Sequence, residues 1–313
     1  MKRIIVILAL LSVLLGYGCN QKSDSNQLTE SPFIGGTTAL VLSFMENAPP
    51  EKVFDGGNDP FDISINIKNV GEYTIPTNEL MITISGIKAE EFGKTESDFT
   101  KKLDVELKGQ SKDSTGNIIP GGEEFIDFSE LNHRDSVYGM LTLPIIAKAC
   151  YLYGGTAMAK LCYRKNLRNT ETGQCEVEGT KQVYNSAHPI QVSEFSEYVK
   201  GTDKIGFTFK MMKMGSGEVY KKDLSDCKNA AYEDKNKVYV IVETGEEGLI
   251  CRGLREGPSS SEGYATLRNG QAIVSCDQPA DVNYDYEKPV YISMEYRYEQ
   301  AITKDIKILH AGE

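Results

Sequence analysis

Apolar and polar residues alternate one by one over several stretches of this chain. In the clearest stretch, residues 61–68, every second residue is Phe or Ile and the residues between are polar. Such a strand buries one face and leaves the other in water. The same alternation recurs in residues 40–44, 80–84, 125–128, 238–242 and 292–298. Clusters of Gly, Pro, Asn and Asp separate these stretches, and helical periodicity is nearly absent after residue 18, so the pattern predicts an all-β fold.

The strand order also repeats along the chain. Residues 144–164 can be laid over residues 289–309 without a gap, which places Tyr151 on Tyr296 and Tyr153 on Tyr298. We interpret each copy as the closing hairpin of a domain, with Gly154-Gly155 at the turn of the first. Upstream, residues 40–44 match 205–209, and residues 61–71 match 238–245. Short strands, frequent turns and a repeated order predict two tandem immunoglobulin-like β-sandwich domains.

These boundaries divide the chain into four parts. Residues 1–18 are predicted to be a signal peptide and residues 19–33 a polar tether. The first sandwich is expected to span residues 34–200, with residues 189–192 as its final edge strand, and the second to span residues 201–313. A length of 313 residues suits two domains of ordinary size.

The N-terminus carries an export signal. Lys2 and Arg3 precede an apolar run over residues 4–15, which is shorter than the roughly 20 residues a spanning helix needs. Cys19 follows Gly18 and precedes a polar stretch, and this segment resembles the lipobox of prokaryotic lipoproteins. It departs from that pattern at residues 16 and 17. The resemblance implies lipidation of Cys19 and anchoring to a membrane; simple cleavage near residue 18 and an uncleaved N-terminal anchor are the alternatives.

Six cysteines remain besides Cys19, and an even number in an exported protein predicts three disulfides. None of their spacings suits a zinc knuckle. Cys251 and Cys276 lie inside the second predicted domain and are the favoured pair. The hairpin interpretation makes Cys150 and Cys162 point outward on adjacent strands, so they could bridge each other; alternatively, Cys162 could close a small loop with Cys175. Cys227 would then need a partner in the first domain, which would clamp the two domains together.

Residues 61–73 carry a second resemblance. An alternating strand runs into Asn69-Val70-Gly71, and this stretch is similar to CARDB-type immunoglobulin-like modules of archaeal and bacterial cell-surface proteins. We expect the Asn and the Gly to adopt the left-handed backbone of a strand-ending turn. The resemblance implies a surface location and a role in binding or spacing. It implies no particular functional residue.

Charge and residue types argue against several functions. The net charge is −11, and loss of Lys2 and Arg3 with the signal peptide would make it −13, which disfavours nucleic-acid binding. Only three His are present, none beside a recognisable nucleophile turn, so we expect no enzyme and no cofactor. Calcium could bind at Asp281, Asn283 and Asp285, whose spacing resembles the start of an EF-hand loop, and at the acidic loop of residues 55–59.

The sequence therefore predicts a non-catalytic, exported cell-surface protein. Its sandwiches would present loops or a strand edge to another envelope or surface protein, since an exposed edge can accept a further strand. The alternative is an envelope spacer or scaffold component without a ligand of its own. A concentrated patch of exposed Tyr on one loop cluster would favour binding, and a uniformly charged surface would favour the spacer. An exported solute-binding protein or hydrolase is a third option and would need a deep polar cleft.

Overall fold

A computed structural model describes residues 31–168 and 173–311 of the chain. Among these residues the regular elements are strands and three short 3₁₀ helices, which confirms the all-β prediction. The 3₁₀ helices are Ala89–Phe92, Glu96–Phe99 and Tyr232–Asp234. The strands are β1 Leu40–Phe44, β2 Lys52–Phe54, β3 Phe61–Asn69, β4 Leu80–Ser85, β5 Thr100–Lys102, β6 Ser111–Lys112, β7 Ile118–Ile119, β8 Glu123–Leu131, β9 Met140–Tyr163, β10 Gly179–Thr180, β11 Tyr184–Asn185, β12 Ile190–Lys200, β13 Lys204–Lys213, β14 Glu218–Tyr220, β15 Lys237–Glu243, β16 Ile250–Arg252, β17 Glu262–Thr266, β18 Gln271–Pro279 and β19 Tyr286–Leu309.

The alternating stretches form strands with one buried face. In β3, Ile63, Ile65 and Ile67 are fully buried, and the polar residues between them lie on the other face. β4 and β15 alternate in the same way. The buried faces join one hydrophobic cluster that runs through the described part of the chain. The period-two pattern therefore predicted both the elements and the side of each that packs.

The strands form four sheets. The largest contains nine strands, with the order β17-β15-β19-β9-β4-β5 and with β2, β11 and β14 attached to its long strands. A three-stranded sheet has the order β1-β3-β8, a five-stranded sheet has the order β10-β12-β13-β18-β16, and β6 and β7 form a small hairpin. All these pairings are antiparallel except that of β2 with β19.

Two 24-residue strands hold the molecule together. β9 and β19 pair antiparallel along their whole length, from Met140 opposite Leu309 to Tyr163 opposite Tyr286. The predicted hairpins at these positions are therefore wrong, because each copy is a single strand and Gly154-Gly155 lies within it. The overlay itself remains meaningful. Shifting β9 by the predicted offset places it on β19, and the paired strands are related by a local two-fold axis.

Four tyrosines lie at the centre of this strand pair. Tyr151 is opposite Tyr298 and Tyr153 is opposite Tyr296, all on the buried face. Neighbouring rings make edge contacts with centroids 5.6–6.1 Å apart, an arrangement that the aromatic quadrupole favours. The hydroxyl of Tyr151 donates to Gln300 Oε1 at 2.9 Å. Buried phenols therefore keep polar partners while their rings fill the centre of the fold.

The two halves of the chain share one pairing scheme. The first half contains six of these strands, in chain order β1, β3, β4, β5, β8 and β9. The first, second and fifth lie side by side in one sheet, and the fourth, third and sixth lie side by side in another. In the second half, β12, β13, β15, β17, β18 and β19 pair in the same order. The repeat predicted from the sequence is thus present in the topology. Upstream, however, the sequence alignment was shifted by one strand. It matched β1 to β13 and β3 to β15, whereas in the sheets β3 corresponds to β13 and β4 corresponds to β15.

The predicted domain division differs from the structure in two respects. Residues 190–200 form β12, which pairs with β13 and begins the second half, so it is not the last edge strand of the first. The halves also share the β9–β19 pair, and Pro32–Glu313 form one compact unit. A boundary at residue 200 would cut the β12–β13 hairpin. The predicted signal peptide, Cys19 and residues 20–30 of the tether lie outside the described residues.

The Asn69-Val70-Gly71 turn has a different cause from the one expected. Neither Asn69 nor Gly71 has a positive φ. Asn69 is fully buried, and its amide donates to the carbonyl oxygens of Tyr73 and Leu107 at 2.8 and 3.1 Å. A Cβ on Gly71 would lie 2.0 Å from the Tyr153 hydroxyl. Close packing against β9, rather than a left-handed backbone, requires these residue types.

Candidate functional site

The outward face of the nine-stranded sheet carries the features that could serve a function. On β19, Met294, Tyr296 and Tyr298 point into the core, so the alternate residues Ser293, Glu295, Arg297 and Glu299 point away from it. The pleat likewise directs Cys150, Leu152, Gly154 and Thr156 of β9 to this outward side. Strand alternation thus aligns a row of polar, charged and small residues along the two central strands.

A segment that we call the strap, residues 221–235, crosses this outward face. Lys222 Nζ lies 2.8 Å from Glu295 Oε2. Arg297, at the centre of the strand pair, donates to the Leu224 carbonyl oxygen and forms an ion pair with Glu79. Next along the strap, Cys227 is bonded to Cys150 of β9. Between these points, Asp223 accepts the hydroxyl of Tyr264 on β17, so the strap is attached to the sheet at four points and divides its outward face into two depressions.

The first depression, which we call the tyrosine hollow, has a volume of ≈ 220 Å³ and lies between Tyr73 and Tyr239. Gly154 makes room for the Tyr73 ring, because a Cβ there would lie 2.8 Å from a ring carbon. The Tyr73 hydroxyl donates to Glu295 Oε1 at 3.2 Å. Burial raises the pKa of Tyr73, and the negative charge of Glu295 raises it further by a smaller amount. This hydroxyl therefore stays protonated at neutral pH.

Tyr239 connects the hollow to the strap. Its ring contacts Tyr264 edge-on, with centroids 5.0 Å apart. Lys222 Nζ lies 3.9 Å from the Tyr239 ring centroid, within the range of a cation–π contact. Since the same ammonium pairs with Glu295, the acid that lines the hollow is neutralised by a lysine of the strap. Tyr291, which is 43% exposed, lies further along β19 on the same face as Ser293 and Glu295, two residues that line the hollow.

The second depression, which we call the lysine groove, has a volume of ≈ 370 Å³. Met81 and Tyr220 and the Cys150–Cys227 bridge supply apolar surface inside it. Three exposed lysines line it, and the acids Glu96 and Glu299 complete its rim; the lysines are Lys148, Lys228 and Lys235. Apolar walls with a few charged groups are typical of small-molecule sites.

Residues 31–168 and 173–311 contain three disulfides, as the even number of cysteines predicted. Cys251 pairs with Cys276, the favoured pair. Cys162 closes the small loop with Cys175 and is therefore not bridged to Cys150. Cys227 pairs with Cys150 and links the two halves of the chain. Cys150 lies on the outward side of β9, as the hairpin interpretation predicted, but the structure covers that side: Cys150 is 5% and Cys162 is 1% exposed.

One of the three predicted calcium residues, Asp285, is engaged in other contacts. Asp285 accepts the Lys165 backbone N–H at 2.9 Å and lies 3.4 Å from Arg164 Nε, while Asp281 and Asn283 are exposed. In the other candidate loop, Asp59 accepts the Phe54 N–H at 2.8 Å. No cluster of three or more His, Cys, Asp or Glu with metal-site geometry occurs among residues 31–168 and 173–311. The acids instead satisfy backbone groups at turns.

Asp55, Ser136 and His310 lie close together, although no sequence pattern connects them. His310 Nδ1 lies 2.9 Å from Asp55 Oδ2 and 3.5 Å from Ser136 Oγ. A catalytic triad uses opposite ring nitrogens for the acid and the nucleophile, whereas here both oxygens approach the same nitrogen. Asp55 also accepts the backbone N–H groups of Val137 and Ala311, at 2.7 and 2.8 Å. These bonds lower the pKa of Asp55, and the cluster fastens the C-terminal end of β19.

Two buried ionisable groups were also missed. Burial raises the pKa of Glu197 to about 7, although Lys181 Nζ lies 3.1 Å away and the Cys162 N–H binds both carboxylate oxygens. Burial lowers the pKa of His188 to about 3. Gly155 makes room for this imidazole, since a Cβ there would lie 2.0 Å from His188 Cδ2. No local sequence signal marks these groups, because their burial comes from strands distant in the chain.

Comparisons with known proteins give no family. No family model matches the chain, and no curated protein matches it. Among solved structures, 22 chains match, including the secreted serine protease VesC from Vibrio cholerae. That comparison has 8% sequence identity and a TM-score of 0.16, and it covers 84% of this chain and 50% of the protease chain. The chain thus spans half the length of that structure, and a similarity this low supports no conclusion about fold or activity. No helix in the described part of the chain is long and apolar enough to cross a membrane.

Proposed function

We propose that this protein is an exported, non-catalytic cell-surface protein that binds another envelope or surface protein through the outward face of its nine-stranded sheet. The observation that carries this proposal is the tyrosine surface formed by Tyr73, Tyr239 and Tyr291. Tyr supplies large contact area with a polar tip and little conformational entropy to lose, which is why it is enriched at protein interfaces. This surface lies on a sheet face rather than on the loops or edge first expected.

The three disulfides support the proposed location. Disulfides persist in oxidising compartments outside the cytosol, and three of them suggest export. We further propose that Cys19 carries the lipid that anchors the protein to a membrane. Metabolic labelling with a palmitate analogue tests this directly. The native chain should be labelled and Cys19→Ala should not; equal labelling of both chains, or of neither, would contradict it.

The two halves are proposed to be immunoglobulin-like sandwiches of the CARDB type. Their shared pairing scheme, first-second-fifth against fourth-third-sixth, supports a sandwich repeated within the chain. In this proposal the β9–β19 pair merges one sheet from each copy into a continuous surface. Two tandem modules would then act as a single rigid platform.

A pull-down from envelope extract of the source organism, under non-reducing conditions, tests the binding function. The native chain is compared with Tyr239→Ser/Tyr291→Ser and with the control Tyr138→Ser. Tyr138 is fully exposed but precedes β9, whereas Tyr291 pairs with Met158 near the other end of that strand. A specific partner lost only from the double variant supports the proposal. Capture of no partner would favour the alternative of a spacer without its own ligand, and equal capture of a partner by all three chains would contradict binding through the tyrosine surface.

A further inference from the structure

We infer that the lysine groove binds an anionic amphiphile, that is, a carboxylate or phosphate group attached to an apolar chain. This inference goes beyond the proposed protein partner and does not depend on it. The groove and the tyrosine hollow lie on opposite sides of the strap, so a small ligand in one need not occupy the other.

The lysines of the groove differ from most others in the protein. Thirteen other lysines form ion pairs with Asp or Glu within 4.0 Å. Within residues 31–168 and 173–311, Lys148, Lys228 and Lys235 have no ion pair, and all three are exposed around one depression. In a chain with a net charge of −11, unpaired cations gathered at one place form a local site for an anion.

Charge on the rim favours an anion over a cation. Glu96 and Glu299 partly offset the three lysines, and the groove keeps a net positive charge. An ammonium is a compact point charge that attracts either a carboxylate or a phosphate. The charges therefore specify the sign of the head group and leave its type open.

The interior of the groove calls for an apolar chain. Met81 on β4 and Tyr220 at the end of β14 pack with the buried disulfide Cys150–Cys227 and with Ala230 of the strap. The bridge holds the strap in place as one wall, so the apolar surface is already formed before a ligand binds. A volume of ≈ 370 Å³ falls within the range of roughly 300–1,000 Å³ that small-molecule sites occupy.

Four ligands with the same eight-carbon chain separate head group from tail. Octanoate and octyl phosphate are the anionic probes, octyl glucoside is the neutral one, and octyltrimethylammonium is the cation, all measured by titration calorimetry below their aggregation concentrations. We expect one or both anions to bind at least about tenfold more tightly than the other two, and binding to weaken as salt is added. The tighter anion identifies the head group. Hexanoate has two methylene groups fewer than octanoate, and each lost methylene should weaken binding by up to about fourfold.

The location is tested with matched lysine variants. Lys148→Gln/Lys228→Gln/Lys235→Gln should weaken anion binding by about tenfold or more, because three attractive charges are removed. The control, in which Lys52, Lys165 and Lys204 are each replaced by Gln, removes the same charge from positions that do not line the groove and should bind like the native chain. All six side chains are exposed, so both variants should fold.

Methyl NMR supplies an independent readout. In protein labelled at methionine methyl groups, the resonance lost in Met81→Leu identifies Met81, and octanoate should shift that resonance in the native chain. No binding of either anion at millimolar concentration, equal binding of all four head groups, equal loss in the control, or an unshifted Met81 methyl would each overturn the inference.

Discussion

The Cys150–Cys227 disulfide should contribute more to stability than either of the other two. Its sequence separation is 77 residues, against 25 for Cys251–Cys276 and 13 for Cys162–Cys175. In the chain-entropy estimate, a bridge stabilises by restricting the unfolded chain, and a longer loop is restricted more. The three loops correspond to about 4.5, 3.5 and 3 kcal/mol respectively.

The test compares Cys150→Ala/Cys227→Ala with Cys162→Ala/Cys175→Ala. Urea unfolding under non-reducing conditions should give a larger loss of unfolding free energy for the first pair, by about 1–2 kcal/mol. The second pair is a matched control, since it also removes two half-cystines, one of them from β9. An equal loss in both variants, or a larger loss in the control, would refute the loop-entropy reasoning.

The same double variant should also loosen the strap locally. Without Cys227, the strap keeps the ion pairs Lys222–Glu295 and Lys221–Glu256 and two hydrogen bonds, from Arg297 to the Leu224 carbonyl oxygen and from the Tyr264 hydroxyl to Asp223. A partly exposed ion pair contributes only about 0–1 kcal/mol, which is too little to hold a segment of this length closed. Hydrogen exchange of residues 221–235 should therefore speed up more than exchange in β3. Unchanged protection of these residues would mean that the strap does not depend on the bridge.

Three further predictions concern the buried groups near β9. Gly155→Ala should cost about 1–3 kcal/mol in urea unfolding because its Cβ would overlap the His188 ring. Gly116→Ala would meet no neighbouring atom and should show only the backbone cost of its positive φ of 86°. The pKa of His188 is lowered to about 3, so neutral His188 contributes fully to the unfolding free energy above its unfolded pKa of about 6.5. This contribution is lost as pH falls toward 3. The unfolding free energy of His188→Gln should not show this loss. The pKa of Glu197 is raised to about 7, so the unfolding free energy of the native chain should fall by up to about 3 kcal/mol as pH rises from about 4.5 to 7. If the unfolding free energy of Glu197→Gln varied with pH in the same way, this prediction would be contradicted.

Local patterns were enough to predict the strands of this protein. The alternating residues of β3 and β4 identified both the element and its buried face, because side chains on a strand alternate with a period of two. The repeat between residues 144–164 and 289–309 was also readable, since related strands keep similar residues at equivalent positions. The same local patterns could not show whether Gly154-Gly155 turned the chain or continued it.

The candidate sites could be predicted only in small part. Cys227 was expected to reach the first half of the chain, but its partner depended on how β9 and the strap meet. The three lysines of the groove come from β9 and from two positions of the strap, and the tyrosines of the hollow come from β15 and the residues after β3. No spacing rule connects residues so far apart in the chain. Their proximity follows from sheet pairing and from one disulfide.

The sequence by itself determined three properties: the all-β class, the buried face of each main strand and the presence of disulfides. These properties depend on residues close in sequence or on the number of cysteines. Tertiary structure alone decided that β12 begins the second half, that β9 and β19 pair over 24 residues, and that a strap divides the outward face. Strands pair through backbone N–H and C=O groups, which are the same in nearly every residue and so do not specify a partner. The partner of each strand is therefore selected only when the two halves pack together.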